Sequence, residues 1–214
     1  MAFVYNPLEY ARKGFDRYMR RYGKPPKKVV FVGMNPGPWG MAQTGVPFGE
    51  IRTVTDWLGI RETVSAPASI HPKKPIQGFS CKRSEVSGKR LWGWARETFG
   101  KPEHFFSRFF VVNYCPLMFI EESGRNRTPD RLPRAEKDPL YAACDQALLR
   151  TIRRLKPQRV VGVGAFAEKR AKIALASEPV TVGRITHPSP ANPAANRGWA
   201  PRIQEELKAM GIRI

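Results

Sequence analysis

The chain has 214 residues, with 37 Lys and Arg against 18 Asp and Glu, which gives a formal net charge of +19. Hydrophobic residues make up 42% of the sequence, so the chain can bury a sizeable core and is not a disordered basic tail. The charge excludes cations as the main partner and favours a polyanion, either nucleic acid or an anionic membrane surface. We predict a single domain over residues 1–214.

Three cysteines, Cys81, Cys115 and Cys144, are too few and too scattered for a disulfide framework. The sequence has no C-x-x-C pair of the kind that would indicate a zinc site. No apolar run approaches the roughly 20 residues of a membrane span. The N-terminus lacks the apolar stretch of a signal peptide. The sequence therefore predicts a soluble, intracellular protein with reduced cysteines.

The first half of the chain begins with a predicted amphipathic helix from Leu8 to Tyr22, whose outer face is basic. Lys27–Gly33 is a β-branched run without alternation, which is typical of a strand buried on both faces. Asn35–Gly49 is so rich in Gly and Pro that we expect no regular structure there. The following segments are predicted to be a helix near Arg52–Leu58, an irregular stretch over 61–88 and a helix over Gly88–Phe99.

The second half alternates strands with helices. The predicted strands are Phe109–Asn113, Arg159–Gly164 and Val180–Thr186, and the predicted helices run from Leu140 to Leu155, from Ala165 to Ser177 and from Trp199 to Met210. Residues 121–138 are predicted to be a polar, basic loop. This alternation predicts an α/β fold with a mostly parallel sheet covered by helices.

Three polar loops leave the predicted strand ends: Met34–Gly49, Asn113–Pro116 and His187–Gly198. In parallel sheets, ligands bind outside the carboxyl ends of the strands. If the strands are parallel, these loops converge on one rim of the sheet. We therefore predict that the functional site lies on that rim.

Asparagines occupy two of the predicted strand ends. The amide of Asn35 can orient a water molecule but is a poor proton acceptor; the alternative is a turn-forming Asn-Pro pair. The amide of Asn113 can pair with a carbonyl oxygen and a neighbouring N–H, which is the edge pattern of a nucleobase. The alternative for Asn113 is a cap on the strand end.

An imidazole and an aromatic ring also lie in these loops. His187 precedes Pro188, which favours an extended backbone and can aim the ring into a cleft. The alternative is an exposed histidine without a role. Phe48 lies in a Gly/Pro loop, as a core plug or as a platform on which a base stacks.

Two further features limit the chemistry. Gly162–Ala167 follows a strand and opens a helix, like a weak dinucleotide-binding fingerprint, but the acidic residue expected about 20 residues later is missing. Tight strand–helix packing explains these glycines better. The three loops contain no carboxylate except Glu50, just beyond the first, so we expect a hydrolytic reaction that works without a strong general base.

Six motifs cover most of the chain: GMNPGPWGMAQTGVPFGE (Gly33–Glu50), QGFSCKRSEVSGKRLWGW (Gln77–Trp94), NYCPL (Asn113–Leu117), SGRNRTP (Ser123–Pro129), VVGVGAFAEKRA (Val160–Ala171) and HPSPANPAANRGW (His187–Trp199). In these motifs and their order, the chain resembles the single-strand-selective monofunctional uracil-DNA glycosylases, the third family of the uracil-DNA glycosylase superfamily. The resemblance implies a three-layer α/β/α fold with a four-stranded parallel sheet. It also implies that a DNA groove lies at the carboxyl ends of the strands.

The resemblance assigns a water-positioning role to Asn35, helped by the backbone of Gly37 and by Met41. Phe48 matches the platform on which a flipped uracil stacks. Asn113 matches the residue that pairs with the uracil edge. His187, the remaining site residue, matches the donor to uracil O2.

The resemblance makes the His187–Trp199 loop a wedge that enters the DNA stack, with Ser189, Pro190, Ala191, Asn192 and Arg197 as its DNA-binding residues. Related sequences carry an Arg where this chain has Ala191. A smaller wedge is expected to hold the flipped state less well on duplex DNA, unless Arg197 compensates.

The function implied is a monofunctional DNA repair enzyme that removes uracil, 5-substituted uracils or other deaminated bases and leaves an abasic site. It needs no metal or cofactor, acts as a monomer on single- and double-stranded DNA, and lies in the cytoplasm with the nucleoid, or in a eukaryotic nucleus. The Arg12–Arg21 helix face and the Lys82–Arg90 segment are candidates for DNA contact. The alternatives are a non-catalytic basic nucleic-acid-binding module and a nucleotide-dependent enzyme that uses Gly162–Ala167.

Overall fold

A computed structural model describes residues 3–214. The strands are β1 (Phe3–Tyr5), β2 (Val29–Gly33), β3 (Phe109–Asn113), β4 (Met118–Ile120), β5 (Asn126–Arg127), β6 (Arg159–Val163) and β7 (Thr181–Ile185). The helices are α1 (Pro7–Tyr10), α2 (Arg12–Tyr22), α3 (Met41–Thr44), α4 (Ile51–Asp56), α5 (Val86–Phe99), α6 (Pro102–Phe106), α7 (Arg134–Leu155), α8 (Ala165–Ala174), α9 (Pro193–Asn196) and α10 (Trp199–Ala209).

The main sheet has four parallel strands in the order β3-β2-β6-β7. Every residue of β2 is buried, as expected for a β-branched central strand covered on both faces. Gly33 at the end of β2 pairs with Asn113 at the end of β3, and Val163 of β6 pairs with Ile185 of β7. The carboxyl ends of the strands therefore meet at one edge, which confirms the predicted fold class.

Helices cover both faces of this sheet. On one face, Tyr18 of α2 stacks on Phe110 of β3, with 4.9 Å between the ring centroids. On the other face, the ring of Trp94 of α5 packs edge-on against Phe31 of β2 and Trp199 of α10, with 6.2 Å and 6.4 Å between the ring centroids. No helix within residues 3–214 is both long and apolar enough to span a lipid bilayer.

A second, antiparallel sheet in the order β1-β4-β5 was not predicted. Its strands have three, three and two residues, too short to show a clear periodicity. β4 pairs with β1 on one side and with β5 on the other. The polar segment that forms β5 therefore becomes a strand through its pairing with β4 rather than through a hydrophobic pattern of its own. This sheet brings residues after β4 towards the edge of the main sheet.

Several predicted boundaries were wrong. Asn35–Gly49 contains the short helix α3, which ends at Thr44 and is capped by Gly45 in the left-handed conformation, φ +76°. Residues 121–138 are not a continuous loop, because they contain β5 and because α7 begins at Arg134. The single predicted N-terminal helix is interrupted at Ala11, between α1 and α2.

Candidate active site

A cavity of about 360 Å³ opens at the carboxyl edge of the main sheet. It brings together seven of the residues predicted from the sequence: Asn35, Gly37, Met41, Phe48, Asn113, His187 and Ser189. They come from loops that are far apart in the chain, and the parallel strands bring them to one edge. The predicted convergence on one rim is therefore confirmed.

The side chain of Asn35 is held by the loop that follows β3. Its Nδ2 donates to the carbonyl oxygen of Leu117 at 3.2 Å. A carbonyl can only accept, so this bond fixes which end of the amide is the donor. The Oδ1 of Asn35 is left to accept a hydrogen bond from a molecule in the cavity.

Asn113 carries hydrogen-bonding capacity that the protein does not use. Its Nδ2 contacts Sδ of Met41 at 3.2 Å, and a thioether is a weak acceptor. Its Oδ1 is buried and has no partner within residues 3–214. Gly33 makes room for this amide, since a Cβ there would overlap both Oδ1 of Asn113 and the ring of Phe48. An unpaired buried acceptor is costly, and a ligand N–H would satisfy it.

Phe48 is held in a strained backbone conformation. Its φ is +54°, which is rare for a bulky side chain. The ring lines the cavity and lies 6.4 Å from the ring of His187, with 44° between the planes. Phe48 thus presents an aromatic surface to whatever occupies the cavity.

His187 presents a neutral donor. Its Nδ1 accepts a hydrogen bond from the backbone N–H of Ser189 at 3.0 Å, so the proton of the neutral ring resides on Nε2. Burial lowers the pKa of His187 from 6.5 to about 4, so the ring is uncharged at neutral pH. Gly164 lies directly behind it, 3.1 Å from the His187 Cβ to the position of a Cβ on that glycine.

Hydrogen bonds from its own side chains hold the predicted wedge loop together. The Asn192 side chain donates to the carbonyl of His187 and accepts from the N–H of Ala194, both at 3.1 Å, so its amide stabilises the loop. Ala191 and Arg197 are exposed. The exposed residues Ala191 and Arg197 therefore lie in a loop that is held by internal hydrogen bonds.

The brace includes two residues to which the sequence analysis gave no such role. Arg90 of α5 donates to the carbonyl of Pro188 and to Oδ1 of Asn196, both at 2.9 Å. Asn196 in turn donates to the carbonyl of Pro190 at 2.9 Å. Arg90 thereby joins α5 to both ends of the loop tip.

The sequence also missed four polar residues that line the cavity: Glu85, Ser87, Asn126 and Thr128. Glu85 contradicts the expectation that the site lacks a carboxylate other than Glu50. It precedes α5 rather than lying in a loop that leaves a strand, so counting carboxylates in those loops did not find it. The only available signal was its position in the Gln77–Trp94 motif.

The glycines of Gly162–Ala167 are explained by packing. A Cβ on Gly162 would overlap the backbone of α8 at Ala167 and Glu168, and Gly164 backs His187. The preferred explanation, tight strand–helix packing, is confirmed. Within residues 3–214, no cluster of three or more His, Cys, Asp or Glu side chains is placed to hold a metal ion.

Comparison with known proteins decides the family. A model of the uracil DNA glycosylase superfamily matches residues 20–208. The single-strand selective monofunctional uracil-DNA glycosylases of Rattus norvegicus and Bos taurus are 49% and 50% identical to this chain over 214 aligned residues, covering 99% of it and 77% and 79% of those proteins. The chain belongs to this glycosylase family.

A crystal structure of Pedobacter heparinus SMUG2 matches this glycosylase with a TM-score of 0.69, over 98% of this chain and 88% of the other. At 17% identity, that likeness concerns the fold alone. The resemblance expected from the motifs is confirmed, and the alternative of a non-catalytic binding module is not favoured. As a monofunctional uracil-DNA glycosylase, the protein is a DNA repair hydrolase of N-glycosyl bonds.

Proposed function

We propose that the cavity is where this uracil-DNA glycosylase binds a uracil flipped out of DNA and hydrolyses its N-glycosidic bond, leaving an abasic site. One observation carries the proposal. Asn113 faces the cavity with a weakly bonded Nδ2 and an unpaired Oδ1. Uracil presents the complementary pair side by side, a carbonyl O4 and an N3–H.

The same amide supports discrimination against cytosine. Cytosine carries an amino group and a bare N3 on this edge, so donor would face donor and acceptor would face acceptor at Asn113. A site built to pair with one edge rejects the mismatched edge strongly, because its buried polar groups stay unpaired. Phe48 gives the base a surface for stacking, worth about 1–3 kcal/mol for an aromatic side chain.

The chemistry follows from two fixed polar atoms. As the glycosidic bond stretches, negative charge develops on the uracil, and the Nε2–H of neutral His187 stabilises it at O2. Asn35 holds a water molecule through its free Oδ1, and that water adds at C1′ of the sugar. No lysine acts as a nucleophile in this scheme, in keeping with a monofunctional reaction.

The substrate range extends to uracils substituted at C5. In the proposed pose O4 faces Nδ2 of Asn113, which lies beside Met41, so the neighbouring C5 also faces Met41. An apolar cavity of about 140 Å³, also lined by Met41, lies behind it. An unbranched methionine can move into such space.

DNA of both strand states is the proposed partner, and the protein acts as a monomer, since one chain supplies every group in the scheme. Flipping costs a few kcal/mol and least in single strands. The wedge loop His187–Trp199, which Arg90 of α5 braces, supports the flipped state in a duplex. Exposed cations of the Lys82–Arg90 segment, namely Lys82, Arg83 and Lys89, line a groove next to the cavity together with Arg52.

The test is excision from an oligonucleotide with a single uracil, followed by alkali and gel analysis, without added metal or nucleotide. We expect strand breakage that requires both uracil and alkali. A control with cytosine in place of uracil should stay intact. Breakage without alkali, or none with uracil, would contradict the proposal.

A further inference from the structure

Glu85 is the only carboxylate among the described residues that line the cavity. Its Oε2 accepts a hydrogen bond from the backbone N–H of Trp39 at 3.3 Å. Gly37 and Gly40 leave room for it, because a Cβ at either position would overlap the Glu85 side chain. The carboxylate therefore lies against the loop that carries Asn35, the residue to which we assign the attacking water.

The surroundings of this carboxylate are costly for a charge. Burial raises the pKa of Glu85, while the Trp39 N–H and the ammonium group of Lys74 act in the opposite direction. Lys74 and Arg83 lie on the ring of Trp39, 4.9 Å and 4.2 Å from its centroid. Partial burial of a carboxylate costs free energy, and the proposed ligand of this cavity is part of DNA, itself a polyanion. A carboxylate at this position therefore indicates a functional role.

The geometry points to Glu85 as a catalytic residue of the glycosylase reaction, an inference that rests on the proposed function. When the bond from N1 to C1′ breaks, its electron pair leaves with the uracil and positive charge develops on the sugar. The oxygen of the water forms a bond to C1′, and Glu85 accepts the proton that this water releases. Glu85 then returns the proton to solvent, and the uracil anion takes one from solvent.

The carboxylate supplies two things that the amide of Asn35 cannot. It is basic enough to take a proton, and its negative charge stabilises an oxocarbenium-like sugar, as carboxylates do in glycoside hydrolysis. General-base assistance contributes about 10²–10⁴-fold to a rate. The competing role is purely structural: Glu85 only holds the loop through the Trp39 N–H.

Glu85→Gln separates the two roles, since the glutamine carbonyl can still accept from Trp39 while the charge and the basicity are lost. We expect the single-turnover rate of uracil release to fall by about 10²-fold or more. Binding to DNA with a non-cleavable uracil analogue and the thermal unfolding midpoint should stay near wild type. Glu97→Gln, an exposed position on α5, makes the same charge change as a control and should keep the wild-type rate.

The pH profile provides a measurement that a structural role would not move. The wild-type rate should fall as pH falls through the raised pKa of Glu85, because protonation removes the base. Glu85→Gln should lose this step, whereas His187 contributes to both profiles. The Glu85 carboxylate raises the pKa of Lys74, so the variant also lowers the pKa of Lys74; Lys74 loses its proton as pH rises, whereas the Glu85 step is a loss of rate as pH falls. If Glu85→Gln does not fold, the presence or absence of this step in the wild-type pH profile still tests the assignment.

Three results would overturn the assignment: a Glu85→Gln rate within about threefold of wild type, the wild-type pH step retained in that variant, or no such step in the wild type. If instead the wild type releases no uracil at all, the proposed function itself fails.

Discussion

At the scale of single residues, Asn35 and His187 share one device. The backbone binds one polar atom of each side chain, through the carbonyl of Leu117 and the N–H of Ser189, and so orients the other atom. Groups that are oriented before the reaction need not reorganise when charge develops. Their neutrality also matters, because a charged imidazole would be costly in this buried position.

Replacing Asn35 tests the positioning of the water. We expect Asn35→Ala to lose most of its single-turnover excision, because the Oδ1 acceptor is gone, while affinity for uracil-containing DNA is retained. Rapid-quench kinetics and fluorescence anisotropy measure the two properties separately. Near-normal turnover would show that Asn35 has no such role.

Replacing His187 tests the donor to uracil O2. Loss of one preorganised donor costs on the order of 10²–10³ in rate, and we expect His187→Ala to lower the chemical step by that factor. His104, which is exposed, provides the control, since His104→Ala should keep the wild-type rate. A His187→Ala rate within about threefold of wild type would count against the assignment.

At the scale of elements, the start of α5 organises much of the site. Glu85 precedes the helix, Ser87 lies in its first turn, and both line the cavity. One turn further, Arg90 holds the wedge loop at Pro188 and Asn196. One short segment thus couples the chemistry to the loop that we expect to enter the DNA stack.

The brace yields a prediction about strand preference. Arg90→Met keeps a long side chain but removes the donors, and hydrogen bonds from a charged group are worth about 1.5–3 kcal/mol each. We expect excision from duplex DNA to fall about tenfold or more, and that from single strands far less, because only the duplex needs a wedge. The measurement is the ratio of the two single-turnover rates.

Arg96, exposed further along α5, serves as the control for this comparison. Arg96→Met removes the same charge without touching the wedge loop. Equal losses on duplex and single-stranded DNA in Arg90→Met would show that the brace does not support a wedge.

At the scale of the whole molecule, the cations behind the net charge of +19 are not equally free to contact DNA phosphates. On α2, Arg12, Arg17 and Arg21 pair with Asp16, Glu62 and Glu103. The groove beside the cavity instead carries four exposed cations, Arg52, Lys82, Arg83 and Lys89, with Glu50 as its only described carboxylate. We therefore favour the Lys82–Arg90 segment over the Arg12–Arg21 face as the contact with DNA phosphates.

Salt dependence tests that choice. Binding should weaken steeply with salt, and each phosphate contact contributes about 0.9 to the slope of log K against log salt concentration on duplex DNA. Lys82→Ala/Lys89→Ala should lower the slope by up to about 1.8. Lys28→Ala/Lys208→Ala, exposed positions outside the groove, should leave it unchanged. Equal slopes in both double variants would contradict the groove.

Much of this protein could be predicted from the sequence by itself. Strands β2, β3 and β6 are largely buried and therefore show as apolar runs, whereas only Ile185 is buried in the edge strand β7. Asn35, Asn113 and His187 stand directly at or after the ends of β2, β3 and β7. Parallel strands place such ends on one edge, so local pattern and a general rule of topology were enough to bring these residues together.

Only the tertiary structure decided the rest. Glu85, Arg90 and Asn126 reach the site or its loop from an irregular segment, a helix face and a two-residue strand, none of which has a pattern that points to the rim. It also fixed which amide atoms remain free, since Leu117 and Met41 bind the others. These properties depend on contacts between distant segments, and local periodicity carries no information about them.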